Sequence, residues 1–219
     1  MADSFLDLVN GVLTLKPTVA SSAGAGDAGK IPRLGDDGLL DPSMMPVIPG
    51  SVPIASDVAS NNSYLLFDGV FSSSYDVYEI HFIDLAPVAD SAALLWRWRD
   101  AGADVTGTTH YTGFRYRAPV LSAAGDLFAN STAGHHCPYI DLGNASGECC
   151  KLRIIAFPRS TARKEIFFEG SYVNYLGNLI QVNGASTLAN TTAMTGCKIL
   201  FIGTNIASGK VVIYGAKLP

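Results

Sequence analysis

The chain has 219 residues, of which 48% are hydrophobic and 16% charged, with a formal net charge of −4. It has no basic run or tail, so the positive patch typical of nucleic-acid-binding proteins is missing. No apolar run is long enough to cross a bilayer, and the first residues lack the basic start of a secretory signal. We therefore expect a protein that folds in a cytosol, with free thiols at its four cysteines.

Residues 3–15 favour a short helix, because Phe5, Leu8, Val9 and Val12 fall at helical spacing. Pro17 would end this helix, since proline cannot donate a backbone hydrogen bond. A helix of this length is only marginally stable in water. Its apolar stripe therefore needs a partner, which is either the body of this protein or another protein.

Residues 20–62 change in character, first to small residues and then to a proline-rich apolar stretch. The prolines disfavour regular structure, yet the segment is too apolar for a free linker. We interpret residues 1–62 as an N-terminal docking arm, a short helix followed by an extended segment buried on another protein. The residues expected to anchor it are Phe5, Leu8, Val9, Val12, Ile31, Leu34, Leu39, Leu40, Met44 and Met45.

From residue 63 the hydrophobic pattern has a period of two. Tyr78, Ile80 and Phe82 alternate with Glu79 and His81, and similar short runs recur to the end of the chain. Gly-containing turn signals separate the runs. We therefore predict a mainly β protein in which residues 63–219 form an antiparallel β-sandwich with a jelly-roll-like arrangement.

Two stretches contain residue types found in cofactor and metal sites. Residues 24–30 match the spacing of a phosphate-binding loop as far as Lys30, but Ile31 replaces the Ser or Thr that would hold magnesium. His135, His136 and Cys137 are metal-ligand types, but their spacing is not that of structural zinc sites. We expect no cofactor and no metal.

Catalytic patterns are equally weak. The sequence has no Gly-x-Ser-x-Gly elbow for a nucleophilic serine. A carboxylate pair for glycan hydrolysis would have to come from residues whose separation the sequence does not give. These residues are Asp84, Asp90, Glu148, Glu165 and Glu169. We expect a protein that is not an enzyme.

Aromatic residues are plentiful in the β region. Trp96, Trp98, Tyr111 and Tyr172 are candidates for aromatics that face a glycan or a protein partner. The alternative is that they form the core of the sandwich, and we favour it because large aromatics dominate cores.

Two long stretches resemble tailed-bacteriophage proteins. Residues 3–15 and 22–47 contain Ala28-Gly-Lys-Ile31 and, further on, Gly38-Leu-Leu-Asp41-Pro-Ser43. They are similar to the N-terminal segment of tailed-phage fibres and head-decoration proteins, except that Gly35 stands where Asp is more usual. Residues 75–98 and 205–215 resemble a C-terminal β domain of tail-fibre-like and minor virion proteins.

This resemblance implies a non-enzymatic structural component of a phage particle, either tail-fibre-like or a head fibre or decoration protein. It would be assembled in the host cytoplasm, docked on capsid or tail proteins by its N-terminal arm, and commonly trimeric. It implies neither a nucleic-acid nor a membrane partner. One alternative is that the β domain recognises a host-surface glycan, and a third hypothesis is a glycan depolymerase.

Overall fold

A computed structural model describes most of the chain, with side chains from residue 51 onward. The described backbone comprises residues 4–9, 12–19, 31–32, 51–107, 110–118, 123–137, 141–161 and 163–217. The chain divides into two compact units, Met1–Pro49 and Gly50–Pro219. The described ranges contain strands and turns without a helix, so no helix there is long and apolar enough to cross a membrane.

The described residues of the first unit form three strands, two of them in the stretch where the sequence favoured a short helix. β1 (Ser4–Val9) pairs antiparallel with β2 (Val12–Val19), and β3 (Ile31–Pro32) pairs parallel with β2. The sequence favoured a helix over residues 3–15, whereas the described residues there form strands, and the sequence contains a reason for strands. Asn-Gly between two valines is a strong signal for a two-residue hairpin loop, and β-branched valines favour strands.

The second unit consists of two antiparallel sheets. Its strands are β4 (Val52–Asn62), β5 (Leu65–Phe67), β6 (Val77–Pro87), β7 (Leu94–Asp100), β8 (Ala103–Asp104), β9 (His110–Ala118), β10 (Ala123–Ser131), β11 (His135–His136), β12 (Cys150–Phe157), β13 (Lys164–Val173), β14 (Leu179–Leu188), β15 (Gly196–Phe201) and β16 (Ile206–Ala216). The larger sheet has the order β10-β9-β14-β13-β12-β6-β16-β4. The smaller sheet has the order β11-β7-β15-β5, with β8 paired to β7.

Alternating residues of both sheets form one hydrophobic core. In β6 the apolar residues Tyr78, Ile80 and Phe82 are buried, as the period-two pattern predicted. The larger sheet also buries residues from β12, β13 and β14, and the smaller sheet adds those of β7 and β15. The prediction of a mainly β, sandwich-like antiparallel fold is therefore confirmed.

The centre of the core is aromatic. Trp96 and Trp98 of β7 are fully buried, and their rings contact each other edge to face at 5.4 Å. Phe71 packs on Trp98 at 5.9 Å and on Tyr78 at 4.6 Å. The suggestion that Trp96, Trp98 and Tyr172 face a ligand is thus corrected: both indoles have no exposed surface and Tyr172 is 8% exposed. Burial raises the pKa of Tyr172 to about 12.

The sandwich begins earlier in the chain than the sequence indicated. β4 lies inside the stretch assigned to the arm, yet it pairs with β16 along most of its length and belongs to the second unit. Ala59 is buried, while Val58 is 62% exposed. Because β4 is an edge strand with few buried residues, its sequence lacks a clear apolar alternation, and Pro53 is tolerated at such an edge. The boundary therefore lies at residues 49–50 rather than 62.

The four cysteines are all free. Cys137, Cys150 and Cys197 are buried, and Cys149 is partly exposed. Burial raises the pKa of the Cys137 and Cys150 thiols, so both behave as small apolar groups.

Candidate functional site

The outward face of the larger sheet carries an ordered set of side chains. Strand pairing places Phe128, Gly113, Ala185, Phe167 and Ile155 side by side on β10, β9, β14, β13 and β12. Directly opposed residues of antiparallel strands lie on the same face of a sheet. The five residues therefore form one apolar row that crosses five strands.

The row contains a groove between two phenylalanines. Gly113 and Ala185 have little side-chain bulk, whereas Phe128 is 85% exposed and Phe167 is 46% exposed. The result is a groove of about 380 Å³. We call it the aromatic groove, and its lining residues include Tyr111, Gly113, Phe128, Asn130, Glu165, Phe167, Ala185 and Thr187.

One rim of the aromatic groove is a second row of aligned residues. Asn130, Tyr111, Thr187 and Glu165 face one another across β10, β9, β14 and β13. Tyr111 is 48% exposed, and Asn130 and Glu165 are exposed as well. This rim therefore offers an amide, a phenol and a carboxylate to solvent or a ligand.

The opposite rim consists of ion pairs. Arg115 Nε donates to Asp126 Oδ1 at 2.9 Å. Arg153 donates from Nε and Nη2 to Glu79 at 2.7 and 3.0 Å, and from Nη1 to Glu169 at 3.2 Å. Hydrogen bonding to Arg153 holds the pKa of Glu79 below its usual value. The guanidinium groups on this rim thus already have carboxylate partners.

The groove continues along the same face. A second hollow of about 520 Å³ shares Phe167 and Ala185 with the aromatic groove. A third, of about 550 Å³, shares Arg153 and Glu169 with the second. The outward face therefore carries a continuous shallow track, apolar and aromatic at one end and charged at the other.

A buried polar network lies beneath the floor of the aromatic groove. Ser186 Oγ donates to the carbonyl oxygen of Tyr111 at 2.8 Å and lies 2.6 Å from Thr112 Oγ1. Nδ1 of His135 also contacts Ser186 Oγ. The ring of His110 meets that of His135 edge to face at 4.4 Å. Desolvation, with smaller contributions from His110 and His136, holds the pKa of His135 well below its usual value, so its imidazole is neutral.

The Ser186–His135 contact is buried. Ser186 is 3% exposed and His135 has no exposed surface, so neither side chain is open to a substrate. We therefore interpret these groups as a structural network that links β9, β11 and β14.

The carboxylates considered from the sequence have local partners. Asp84 pairs with Lys151 at 2.6 Å. Asp90 and Glu148 accept from the consecutive amides of Asn144 and Ala145, so these two carboxylates are neighbours. Glu165 and Glu169 share the outward face of β13 but are four residues apart, or roughly 13 Å along a strand. That separation is larger than the ~5–10 Å typical of glycosidase pairs.

The metal-ligand pattern lies at the edge of the smaller sheet. His135 and His136 form β11, and Cys137 follows it. Among the described residues, no three His, Cys, Asp or Glu side chains lie close enough together to hold a metal ion. Residues 24–30, which match the phosphate-loop spacing up to Lys30, lie outside the described residues.

The predicted docking residues lie in the first unit. Phe5, Leu8 and Val9 are in β1, Val12 is in β2 and Ile31 is in β3. Five others lie outside the described residues, namely Leu34, Leu39, Leu40, Met44 and Met45. Their docking role stays a prediction.

The smaller sheet has a charged outward face. Asp104 accepts hydrogen bonds from Arg97 Nη1 at 2.8 Å, from Lys198 Nζ at 2.9 Å and from Arg99 Nη1. Arg99 Nε also donates to Asp68 at 2.6 Å. Arg97, Arg99 and Lys198 therefore share the two carboxylates of Asp104 and Asp68.

Fold and surface together define a mainly β protein with a two-sheet domain and an aromatic groove on its larger sheet. Comparison with known proteins gave no match, whether to a family model, to a curated protein or to a solved structure.

Two aromatic residues of the groove, Phe128 and Phe167, were not among the site residues predicted from the sequence. Phe167 follows an alternation that places it outward, between buried Ile166 and Phe168. No alternation identifies Phe128 as outward-facing, because its neighbour Leu127 is apolar and exposed as well and only Ala129 is buried. Tyr111 is the one predicted partner-facing aromatic that the groove contains.

Proposed function

We propose that this chain is a non-enzymatic structural component of a bacteriophage particle, a tail-fibre-like or head fibre or decoration protein. The observation that supports it best is the division into two compact units, Met1–Pro49 and Gly50–Pro219. The second unit has its own two-sheet core, as expected of a domain displayed on a particle. The first contains the apolar segment that resembles a virion-docking arm.

The finer features of the proposal follow from the same resemblance. The arm docks on capsid or tail proteins, the assembly is a homotrimer, and the β domain is jelly-roll-like. Neighbours distant in sequence, such as β9 beside β14 and β6 beside β16, are compatible with the long connections of such folds. Many copies on one particle would strengthen weak individual contacts.

Incorporation into particles tests this proposal. A phage lacking this gene is complemented with the full chain, with a chain lacking residues 1–50, or with the control Phe128→Ala. Purified particles are then analysed by immunoblotting. We expect the full chain and the control to be incorporated, and the truncated chain to remain soluble and folded but absent from particles. Incorporation of the truncated chain at the normal level would contradict the proposal.

Recognition of a host-surface glycan is a second candidate function of the same β domain. One observation favours it, the exposure of three aromatic side chains around one groove, Tyr111, Phe128 and Phe167. Exposed aromatic faces beside polar groups are typical of binding surfaces. It is compatible with the structural role, since the predicted docking residues and the groove belong to different units.

A further inference from the structure

We infer that the aromatic groove binds a segment of an uncharged polysaccharide, with sugar rings stacked on Phe128 and Phe167. This inference rests on glycan recognition as the function of the β domain and specifies where the ligand binds and to which chemical class it belongs.

The first argument concerns the exposed phenylalanines. Phe128 is 85% exposed, and Phe167 is exposed on the neighbouring part of the same face. Strand pairing places their backbones three strand spacings apart, roughly 14 Å. The Phe128 ring lies over Gly113, so the open surface between the two rings is that of Ala185. A pyranose ring has an apolar C–H face that fits such an aromatic surface.

The second argument concerns the polar groups. A sugar presents hydroxyl groups around the edge of its ring, and these both donate and accept hydrogen bonds. Asn130 offers an amide that donates and accepts, Tyr111 a phenol, and Glu165 an acceptor carboxylate, all on one rim of the groove. Apolar surface combined with a few convergent polar groups is the usual composition of a ligand site.

The third argument concerns charge. The lining residues of the aromatic groove include one carboxylate, Glu165, and neither lysine nor arginine. The nearest guanidinium groups in the aligned rows, Arg115 and Arg153, already bind Asp126, Glu79 and Glu169. An acidic sugar or a nucleic acid would meet the carboxylate of Glu165 and no lysine or arginine among the lining residues, so the electrostatics favour an uncharged chain.

The fourth argument concerns length. The aromatic groove opens into the second hollow through Phe167 and Ala185, along the same outward face. A ligand that stacks on both phenylalanines therefore crosses the strands of β10, β9, β14 and β13. This geometry suits an extended polymer better than a single sugar.

Affinity electrophoresis of the full chain tests the inference. Native gels contain neutral polysaccharides (dextran, laminarin or galactomannan) or acidic ones (alginate or polygalacturonate). The variants are Phe128→Ala and Phe167→Ala, with Leu176→Ala as a matched control, because Leu176 is 64% exposed in a turn away from the groove. Circular dichroism verifies that each variant is folded.

We expect retardation in at least one neutral polysaccharide and none in the acidic ones. Each groove variant should weaken binding by roughly tenfold, as expected for loss of an interface anchor, while the control binds normally. Binding to acidic polymers alone, unchanged binding by both groove variants, or no retardation in any neutral polymer would overturn the inference. Particle incorporation of the same variants is a separate readout, so failure here leaves the structural role to its own test.

Discussion

The ring of Phe128 lies over Gly113 of the neighbouring strand, so closely that a Cβ atom at Gly113 would lie 3.3 Å from Phe128 Cε1. The missing side chain thus sets the height of the ring above the sheet. Gly184 of β14 has no such mobile neighbour. A Cβ atom at Gly184 would lie 2.5 Å from Phe114 Cβ and 2.6 Å from the Gly113 carbonyl oxygen. One glycine shapes the outward groove, and the other permits close packing on the core side.

Gly113→Ala and Gly184→Ala should therefore differ in stability. At Gly113 the neighbour is an exposed ring that can move, and alanine lowers the entropy of the unfolded chain, so stability should change by less than about 1 kcal/mol. At Gly184 the neighbours include backbone and buried groups, and overpacking should cost about 2 kcal/mol or more. Urea unfolding measures both. Equal stability of the two variants would contradict the assigned faces of β9 and β14.

Removing a core aromatic should be much more costly than removing a groove aromatic. Trp98→Ala deletes a fully buried indole between Phe71 and Trp96, so we expect a loss of about 3–5 kcal/mol. Tyr111→Ala removes a ring that is half exposed and should cost well under half of that. Thermal unfolding of both variants makes the comparison. A larger loss for Tyr111→Ala would show that the core has been misplaced.

The sequence predicted correctly which residues of the central strand β6 face the core. Alternation in β6 placed Tyr78, Ile80 and Phe82 inside, because one face of a sheet must be buried. Trp96 and Trp98 were favoured as core residues because large aromatics dominate cores, and both are buried. Local periodicity suffices where a strand has a strong apolar face.

The groove could not be predicted in this way. Its row joins Phe128 and Gly113 with Ala185 and Phe167, residues brought together only by the pairing of β9 with β14. Pairing between strands distant in sequence depends on the whole fold rather than on local pattern. In β10 and β4, which are edge strands, few residues are buried and alternation is weak. The same weakness hid β4 within the predicted arm.

The buried histidines should make stability depend on pH. Burial lowers the pKa of His135 and of His136 relative to the unfolded chain, in which imidazole titrates near 6.5. Below about pH 6.5 the unfolded state binds protons that the folded state does not, so the free energy of unfolding falls as pH decreases. For His135 the slope should be about 0.7 kcal/mol per pH unit near pH 6.5 and approach about 1.4 kcal/mol per pH unit at lower pH. His136 should add to it in the same direction.

Urea unfolding between pH 5.5 and 7.5 measures this dependence. The window lies above the range in which Glu79 and Asp104 contribute, because the pKa of each is lowered and their stabilisation is lost only in more acidic solution. His135→Asn should be less stable than the natural chain at pH 7.5 but should have a shallower slope. An unchanged slope would show that His135 is not the group that resists protonation.

Asp104 should stabilise the smaller sheet. Its side chain is 19% exposed and accepts hydrogen bonds from Arg97, Arg99 and Lys198. Burial opposes the ionisation of Asp104, but the hydrogen bonds from Lys198 and Arg97 outweigh burial and lower its pKa. Asp104→Asn leaves three neighbouring cations without their shared carboxylate, and we expect a loss of about 1–3 kcal/mol. Asp126→Asn is the matched control, since the Arg115–Asp126 pair is exposed and should leave the unfolding midpoint unchanged. Equal effects of the two substitutions would argue against a special role for the Asp104 network.

The boundary of the sandwich can be tested with two truncated chains, one beginning at Ser51 and one at Ser63. The first keeps β4, whose Ala59 is buried and whose Ile54 and Ala55 pack on the core. The second exposes the edge of β16 along the length of its pairing with β4, and unpaired strand edges promote self-association. We expect the chain from Ser51 to unfold cooperatively as a stable species. The chain from Ser63 should be several kcal/mol less stable and should aggregate in size-exclusion chromatography.

Val58→Ala in the longer chain is the control, because Val58 is largely exposed within the same strand and its truncation should matter little. Equal stability of the two chains would place the boundary at residue 62, as the sequence indicated, and would make β4 an accessory to the fold.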